Sequence, residues 1–270
     1  MTDRFYDELA ESFHLMFDDW DDAIRRQRDV LARLLPAPRP DTRVLDCACG
    51  IGTQAIGLAG LGFAVDGSDL CAASIDRARR EAVARGLNLE FRIDDMRSLS
   101  TAPIHAYDAV IAMDNAVPHL QSDEDIKKAF SAMHTRLRSG GILLISVRDY
   151  GSLIAERTAS TAPSFYRDGE FRRIVHQVWD WQDDRRYVVH LFITMERPEG
   201  WRTQHFVGHY RAIAPSDLAA LTRAAGFQAV QVLAPRETGY YQPVVRAVAP
   251  LASSSTRKCQ RPDRDPRDGP

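Results

Sequence analysis

The sequence predicts a doubly wound α/β fold: a mostly parallel, seven-stranded sheet flanked by helices, with an antiparallel β-insertion. Three observations carry this. From Thr42 onward, short apolar runs alternate with helical patterns, the rhythm of right-handed crossovers between parallel strands. After Val147 the rhythm changes to long, partly alternating stretches broken by turn-like residues. Hydrophobic residues make up 44% of the 270-residue chain, enough for a buried core and too many for a disordered chain.

Each element has its own signal. Residues 1–35 read as helix, because Phe5, Leu9, Phe13 and Phe17 recur every four residues and Trp20 and Ile24 continue the stripe. The acids at 18, 19, 21 and 22 precede Arg25, Arg26 and Arg28, so a second helix is expected to start near Trp20. Pro36, Pro38 and Pro40 end it. Strands are expected at 43–47, 63–67, 89–93, 107–113 and 142–147, and helices at 53–60, 71–85 and 123–138. Gly62, Gly86 and Gly140 are read as helix stops, and Ser122 with Asp125 as a capping box. The insertion is read at 172–181, 187–197 and 203–213. A last helix at 216–225 and strands at 228–233 and 243–248 complete the sheet.

The chain thus divides into a helical cap (1–40), a ligand-binding core (41–150), a β-rich insertion (151–213), the last helix and strands of the core (214–250) and a tail (251–270). The tail is expected to be disordered, because it is rich in Ser, Arg, Asp and Pro.

Charge and composition narrow the function. Thirty-five Lys and Arg face 37 Asp and Glu, a net charge of −2, which lacks the electrostatic footprint of a general nucleic-acid binder. No apolar run reaches membrane-spanning length, and Asp3, Asp7 and Glu8 open the chain without a signal-peptide pattern. Cys47, Cys49, Cys71 and Cys259 have neither zinc-module nor disulfide spacing, so a reducing cytoplasm is expected and no metal. Cys47 and Cys49 are read as small core residues, and Trp179 and Trp181 as packing.

In a parallel sheet every strand's C-terminal end opens onto one edge, where ligands bind. Here those ends carry Asp46, Asp69, Asp95, Asp114–Asn115 and Arg148–Asp149–Tyr150. After the first strand, Gly50 and Gly52 would let the backbone approach a ligand at a helix start. The segment also satisfies G-x-G-x-x-A with Asp69 at ribose distance, the pattern of a dinucleotide site. Charge argues otherwise: Asp46 stands just ahead of the turn where a pyrophosphate would lie. A cationic ligand with a ribose and no phosphate suits the site better, and S-adenosylmethionine is one.

These residues resemble class I S-adenosylmethionine-dependent methyltransferases, whose fold is Rossmann-like. Leu45–Gly52 (LDCACGIG), Met113–Leu120 (MDNAVPHL) and Arg148-Asp149-Tyr150 are similar to the glycine N-methyltransferases and the glycine/sarcosine methyltransferases. The resemblance runs from about Phe5 to Ala249 and includes the β-insertion, expected to act as a substrate lid, and Tyr210 before the last helix.

The resemblance implies roles residue by residue. Ala48, Gly50 and Gly52 line the methionine part of the cofactor. Asp46 orients that loop or the ammonium group. Asp69, beside Leu70, accepts the ribose hydroxyls, Asp95 and Met96 lie by the adenine, and Met113 packs near the ligand. Arg26 would meet the cofactor carboxylate, and Trp20 would pack against the cofactor. Asn115 and Arg148 hold the acceptor's carboxylate, Tyr210 lies beside its amine, and Tyr6 and Tyr166 match the family's lid tyrosines. Asp114 stands where the glycine enzymes have Gly, implying an acceptor larger than glycine or with added cationic or hydroxyl groups. Asp114, Asn115 and His119 are the catalytic candidates.

The expected activity is N-methylation of a small, carboxylate-bearing, amino-acid-like metabolite by direct displacement. The alternatives are O-methylation, a dinucleotide-dependent oxidoreductase and a non-catalytic cofactor-binding protein. The expected partner is a small-molecule acceptor, not nucleic acid or membrane; the oligomeric state, including a homo-oligomer, stays open.

Overall fold

A computed structural model describes residues 4–251; the tail from Ser253 and Cys259 fall outside them. The N-terminal segment forms α1 (Arg4–Leu9), a 3-10 turn (Phe13–Met16) and α2 (Trp20–Leu34). Asp19 caps α2, accepting from the Asp22 amide at 3.0 Å, and Asp21 and Asp22 occupy the first turn, where the helix dipole favours them.

The core follows as β1 (Arg43–Asp46), α3 (Thr53–Ala59), β2 (Ala64–Asp69), α4 (Ala72–Ala84), β3 (Glu90–Ile93), β4 (Tyr107–Ala112), α5 (Asp123–Arg136) and β5 (Leu137–Ser146). A short α6 (Tyr150–Glu156) leads to β6 (Ser164–Asp168), β7 (Phe171–Trp181), β8 (Arg186–Arg197) and β9 (Gly200–Arg211). The chain returns to the core through α7 (Pro215–Ala224), β10 (Gln228–Leu233), α8 (Pro235–Thr238) and β11 (Val244–Val248).

Among the described residues, seven strands form one sheet in the order β10-β11-β5-β4-β1-β2-β3. Strands β1 to β5 run parallel, and β11 runs antiparallel to β5 and β10. The order reverses between β1 and β4, which opens a crevice beyond their C-terminal ends. Both faces of this sheet are buried, so successive residues feed two cores. Val44, Ile111 and Leu144 pack with α2, α3 and α4, while Leu45, Val110 and Leu143 pack with α5 and α7. Cys47 and Cys49 are buried free thiols, one in each core.

The insertion is a separate antiparallel sheet, β6-β7-β8-β9. Alternate residues of β8 (Tyr187, Val189, Leu191, Ile193) are 0–1% exposed and join the same core as α5 and α7. This alternation is what the sequence showed.

Two expectations change, and the cap at Ser122 holds. Gly140 is not a helix stop: α5 ends at Arg136 and Gly140 lies within β5 at φ +77°. There the register to β4 slips between Tyr107 and Ala109, so a left-handed residue serves a bulge. Ser122 caps α5 by accepting from the Asp125 amide at 3.1 Å. The short elements β6, α6 and α8 were not anticipated.

Candidate active site

The edge beyond β1 and β2 is built by a glycine turn and one carboxylate. Gly50 and Gly52 have φ of +51° and +95°, the left-handed region that favours glycine. A Cβ on Gly50 would meet nothing within 4 Å, so the space above it is open. At Gly52 a Cβ would press on Ile56 at 2.9 Å, so that glycine serves packing. Asp69 accepts from the amides of Gly50 and Cys71, each at 2.9 Å, and locks the turn to the start of α4. Its residue is only half-buried, so the remaining lone pairs can serve a ligand hydroxyl. Burial pushes its carboxyl up, against the opposing pull of the Cys71, Gly50 and Leu70 amides.

Asp46 lies beneath this turn, 0% exposed, and neither carboxylate oxygen has a hydrogen-bond partner among the described residues. Burial pushes its carboxyl up to about 8, although the amides of Ala48 and Ala55 partly oppose this. An unpaired buried acid, an open approach over Gly50 and no basic side chain from Cys47 to Gln54 fit a cationic, ribose-bearing ligand. They do not fit a pyrophosphate.

The other expected cofactor residues fall around the same edge. Ala48 and Met96 are half-buried, Leu70 is exposed and Met113 is buried. Asp95 is held by its own neighbour: the Arg97 side chain donates to Oδ2 at 2.6 and 2.9 Å and to Oδ1 at 3.0 Å. Trp20 is buried beside the start of α3, directly after the glycine turn. Its indole donates to Thr53 Oγ1 at 3.0 Å, and the Arg85 guanidinium lies 5.0 Å from its ring. The indole therefore stitches α2 to the first residue of α3.

A cavity of about 580 Å³ adjoins this edge between α1, α2, the antiparallel sheet and residues 239–242. Tyr6, Arg26, Asp114, Asn115, Arg148, Tyr166 and Tyr210 all line it, so the structure brings the expected acceptor residues together from across the chain. Arg26 is largely exposed and pairs with Asp22 at 3.0 Å.

Arg148 is the distinctive group. It donates to Tyr187 Oη at 3.3 Å and Gln177 Oε1 at 3.1 Å, and sits over the rings of Trp179 (4.8 Å) and Tyr210 (5.7 Å). Among the described residues it has no acidic partner; the neighbouring Asp149 accepts instead from Ser152 Oγ at 3.3 Å. Asn115 accepts from the Arg148 amide at 3.1 Å and donates to Tyr150 Oη at 3.0 Å.

Asp114 differs from its sequence-based reading. Its carboxylate accepts from Gln54 Nε2 at 2.7 Å, from Gln27 Nε2 at 3.5 Å, from Tyr241 Oη at 2.7 Å and from the Tyr240 hydroxyl. Four donors from α2, α3 and the loop before β11 converge on one acid. The carboxylate is committed to holding the cavity wall, rather than free for an acceptor's extra cation.

His119 is also committed. Its Nε2 lies 2.9 Å from Tyr6 Oη, which is 3.4 Å from Tyr210 Oη. Burial pulls the imidazole down to about 4, despite the nearby His209 carbonyl. The ring is neutral at pH 7 and fixes the tyrosines of α1 and β9; a neutral imidazole with that pKa is a poor proton acceptor.

Sequence reasoning did not single out Gln27, Gln54, Gln177, Tyr187, Tyr240 or Tyr241, and read Trp179 as packing only. No local motif marks them, because each acts through a partner distant in sequence.

Comparison with known proteins bears on the family and the fold. The sequence pattern of a methyltransferase domain matches residues 44–141. A glycine/sarcosine N-methyltransferase from Halorhodospira halochloris is 25% identical over 236 residues, covering 83% of this chain and 87% of that protein. Another, from Parasynechococcus marenigrum, is 32% identical over 156 residues, and the match covers 57% of this chain and about half (55%) of that relative. In structure, CalS10 with bound S-adenosylmethionine, an amino pentose methyltransferase from Micromonospora echinaspora, has a TM-score of 0.67 at 20% identity, covering 86% of this chain and 92% of that one. That last likeness speaks to the fold alone. The glycine turn, its carboxylate and the sheet order together with these matches identify a class I S-adenosylmethionine-dependent methyltransferase domain, in a chain that resembles the glycine/sarcosine N-methyltransferases.

Proposed function

We propose that this protein methylates the amine nitrogen of a small, carboxylate-bearing, amino-acid-like metabolite. The observation that carries the reading is Arg148, a half-buried cation in the cavity wall with no acidic partner among the described residues. A guanidinium partly withdrawn from water is stabilised by an anion that meets it, and its fork-shaped donors suit a carboxylate. The curated relatives named glycine/sarcosine N-methyltransferase point the same way.

When bound, S-adenosylmethionine supplies a methyl group on a cationic sulfur that an amine lone pair displaces directly. Asp69, Gly50 and Asp46 are the residues that would hold it, with Arg26 at the cavity mouth for its carboxylate. Arg148 and Asn115 orient the acceptor, and alignment accounts for most of the rate in a displacement of this kind. The hydroxyls of Tyr210 and Tyr6 stand beside the amine position. Phe5 and the other apolar groups of α1 keep water out, and the antiparallel sheet forms the opposite wall of the same lid.

Amine methylation needs no dedicated base when the neutral amine binds. A hydroxyl acceptor would need one, and the two candidates are engaged: Asp114 by four donors and His119 as a neutral ring with a pKa near 4. This favours nitrogen over oxygen.

The test is Arg148→Ala beside Arg148→Lys, assayed with labelled cofactor. Losing charge-assisted hydrogen bonds worth about 2–3 kcal/mol should raise the acceptor KM roughly 30- to 150-fold. Cofactor affinity should stay within about threefold. Equal losses for cofactor and acceptor would make Arg148 structural and refute the reading.

A further inference from the structure

Arg148 is surrounded by uncharged groups. Its guanidinium donates to Tyr187 Oη and Gln177 Oε1 and lies over the rings of Trp179 and Tyr210. Burial pushes the hydroxyls of Tyr187 and Tyr210 up, so neither is a phenolate at neutral pH. The positive charge is therefore left unanswered by the groups that touch it.

Gln177 is the one of these groups that an acid could replace without a change of shape. It lies half-buried on β7, two residues before Trp179 on the same face, and lines the cavity. Its backbone is fixed from both sides: the amide donates to Thr161 Oγ1 and the carbonyl accepts from the Thr161 amide, each at 2.9 Å. Its Oε1 accepts from Arg148 Nη2 at 3.1 Å and from Trp179 Nε1 at 3.0 Å. Both bonds need only an acceptor oxygen, so a glutamate would make them too, and more strongly. It would also set a negative charge at the 3.1 Å contact, and that ion pair would compete with any carboxylate brought by an acceptor. The amide aims the guanidinium and leaves its charge free.

We infer that Gln177 determines acceptor specificity: a neutral amide that orients Arg148 while keeping its charge available, so that acceptors with a carboxylate are chosen over those with an uncharged group in its place. This rests on Arg148 holding the acceptor carboxylate, and Gln177 acts through it as a positioning residue.

The experiment measures methyl transfer by the full chain to glycine and sarcosine, which carry the carboxylate, and to glycinamide, which does not. All assays run at one pH, so that amine ionisation cancels between variants. Wild type should favour glycine or sarcosine over glycinamide. Gln177→Glu should lower that preference in kcat/KM at least about tenfold, the weight of one charge-assisted hydrogen bond. The change should fall on KM for the carboxylate acceptors rather than on kcat. Gln177→Met removes the same two bonds without adding charge, and should move the preference by no more than about threefold. Circular dichroism and cofactor affinity, unchanged in both variants, control for folding. An unmoved preference in Gln177→Glu, or equal shifts in the two variants, overturns the role of Gln177 and leaves the Arg148 reading standing. A wild type that methylates neither carboxylate acceptor, or shows no preference for them over glycinamide, overturns the Arg148 reading and this inference with it.

Discussion

Asp114 and Asn115 are consecutive non-glycine residues in the left-handed region, with φ of +55° and +69°. Such backbone costs about 1–3 kcal/mol per residue, although Asp and Asn tolerate it best. The glycine that the resembling enzymes carry at 114 would adopt this conformation freely. Here the four donors on the Asp114 carboxylate offset the strain, so this departure is explained by the wall it holds. Asp46 makes a different residue-scale argument. Its folded-state pKa of about 8 stands above the ordinary 3.8. Between those values the ligand-free folded state retains a proton that the unfolded chain has released, so stability falls as pH rises from about 4 to about 8. Asp46→Asn should remove that slope and stabilise the ligand-free protein at pH 8 by about 2–4 kcal/mol relative to wild type. Urea unfolding at pH 5 and pH 8 checks this, and an unchanged difference between the two pH values would refute it.

At the scale of elements, the N-terminal cap is tied down by one arginine of the insertion. Arg173 on β7 is 2% exposed and donates to the carbonyls of Leu15 and Phe17 at 2.9 and 3.0 Å. It also pairs with Asp168 at 3.1 Å and lies over the Tyr166 ring at 5.0 Å. Arg173→Met keeps the apolar stem but removes these bonds, at a cost of about 1.5–3 kcal/mol. Amide exchange should accelerate in residues 4–18 while the parallel sheet stays protected; uniform acceleration, or none, would contradict the tether. Most elements were legible because long periodic runs declare themselves: α2, α5 and the strands of both sheets fall within a few residues of expectation. Short pieces did not. Elements of four to seven residues such as α8, β6 and α6 present too few repeats for periodicity, and they are held by tertiary packing.

For the whole molecule, the glycine turn follows β1 and Asp114–Asn115 of the cavity wall follow β4, the paired strands at which the strand order reverses. Binding at that junction should stabilise the folded chain. At 100 times its dissociation constant, S-adenosylmethionine should add about 2.7 kcal/mol, a rise of roughly 5–10 °C in Tm. NADH should produce no shift; an equal shift with NADH would reinstate the dinucleotide reading. No helix among the described residues is long and apolar enough to cross a membrane. The sequence by itself determined the sheet, the glycine turn with Asp69, the position of the insertion and Arg148 at a strand end, because local periodicity and strand-end chemistry are written in consecutive residues. Only the tertiary structure decided that Asp114 is an architectural hub, that His119 is a neutral prop, that Trp20 faces α3 and that Arg148 lacks an acid. Each of those depends on burial and on partners tens to hundreds of residues away, which no local pattern encodes.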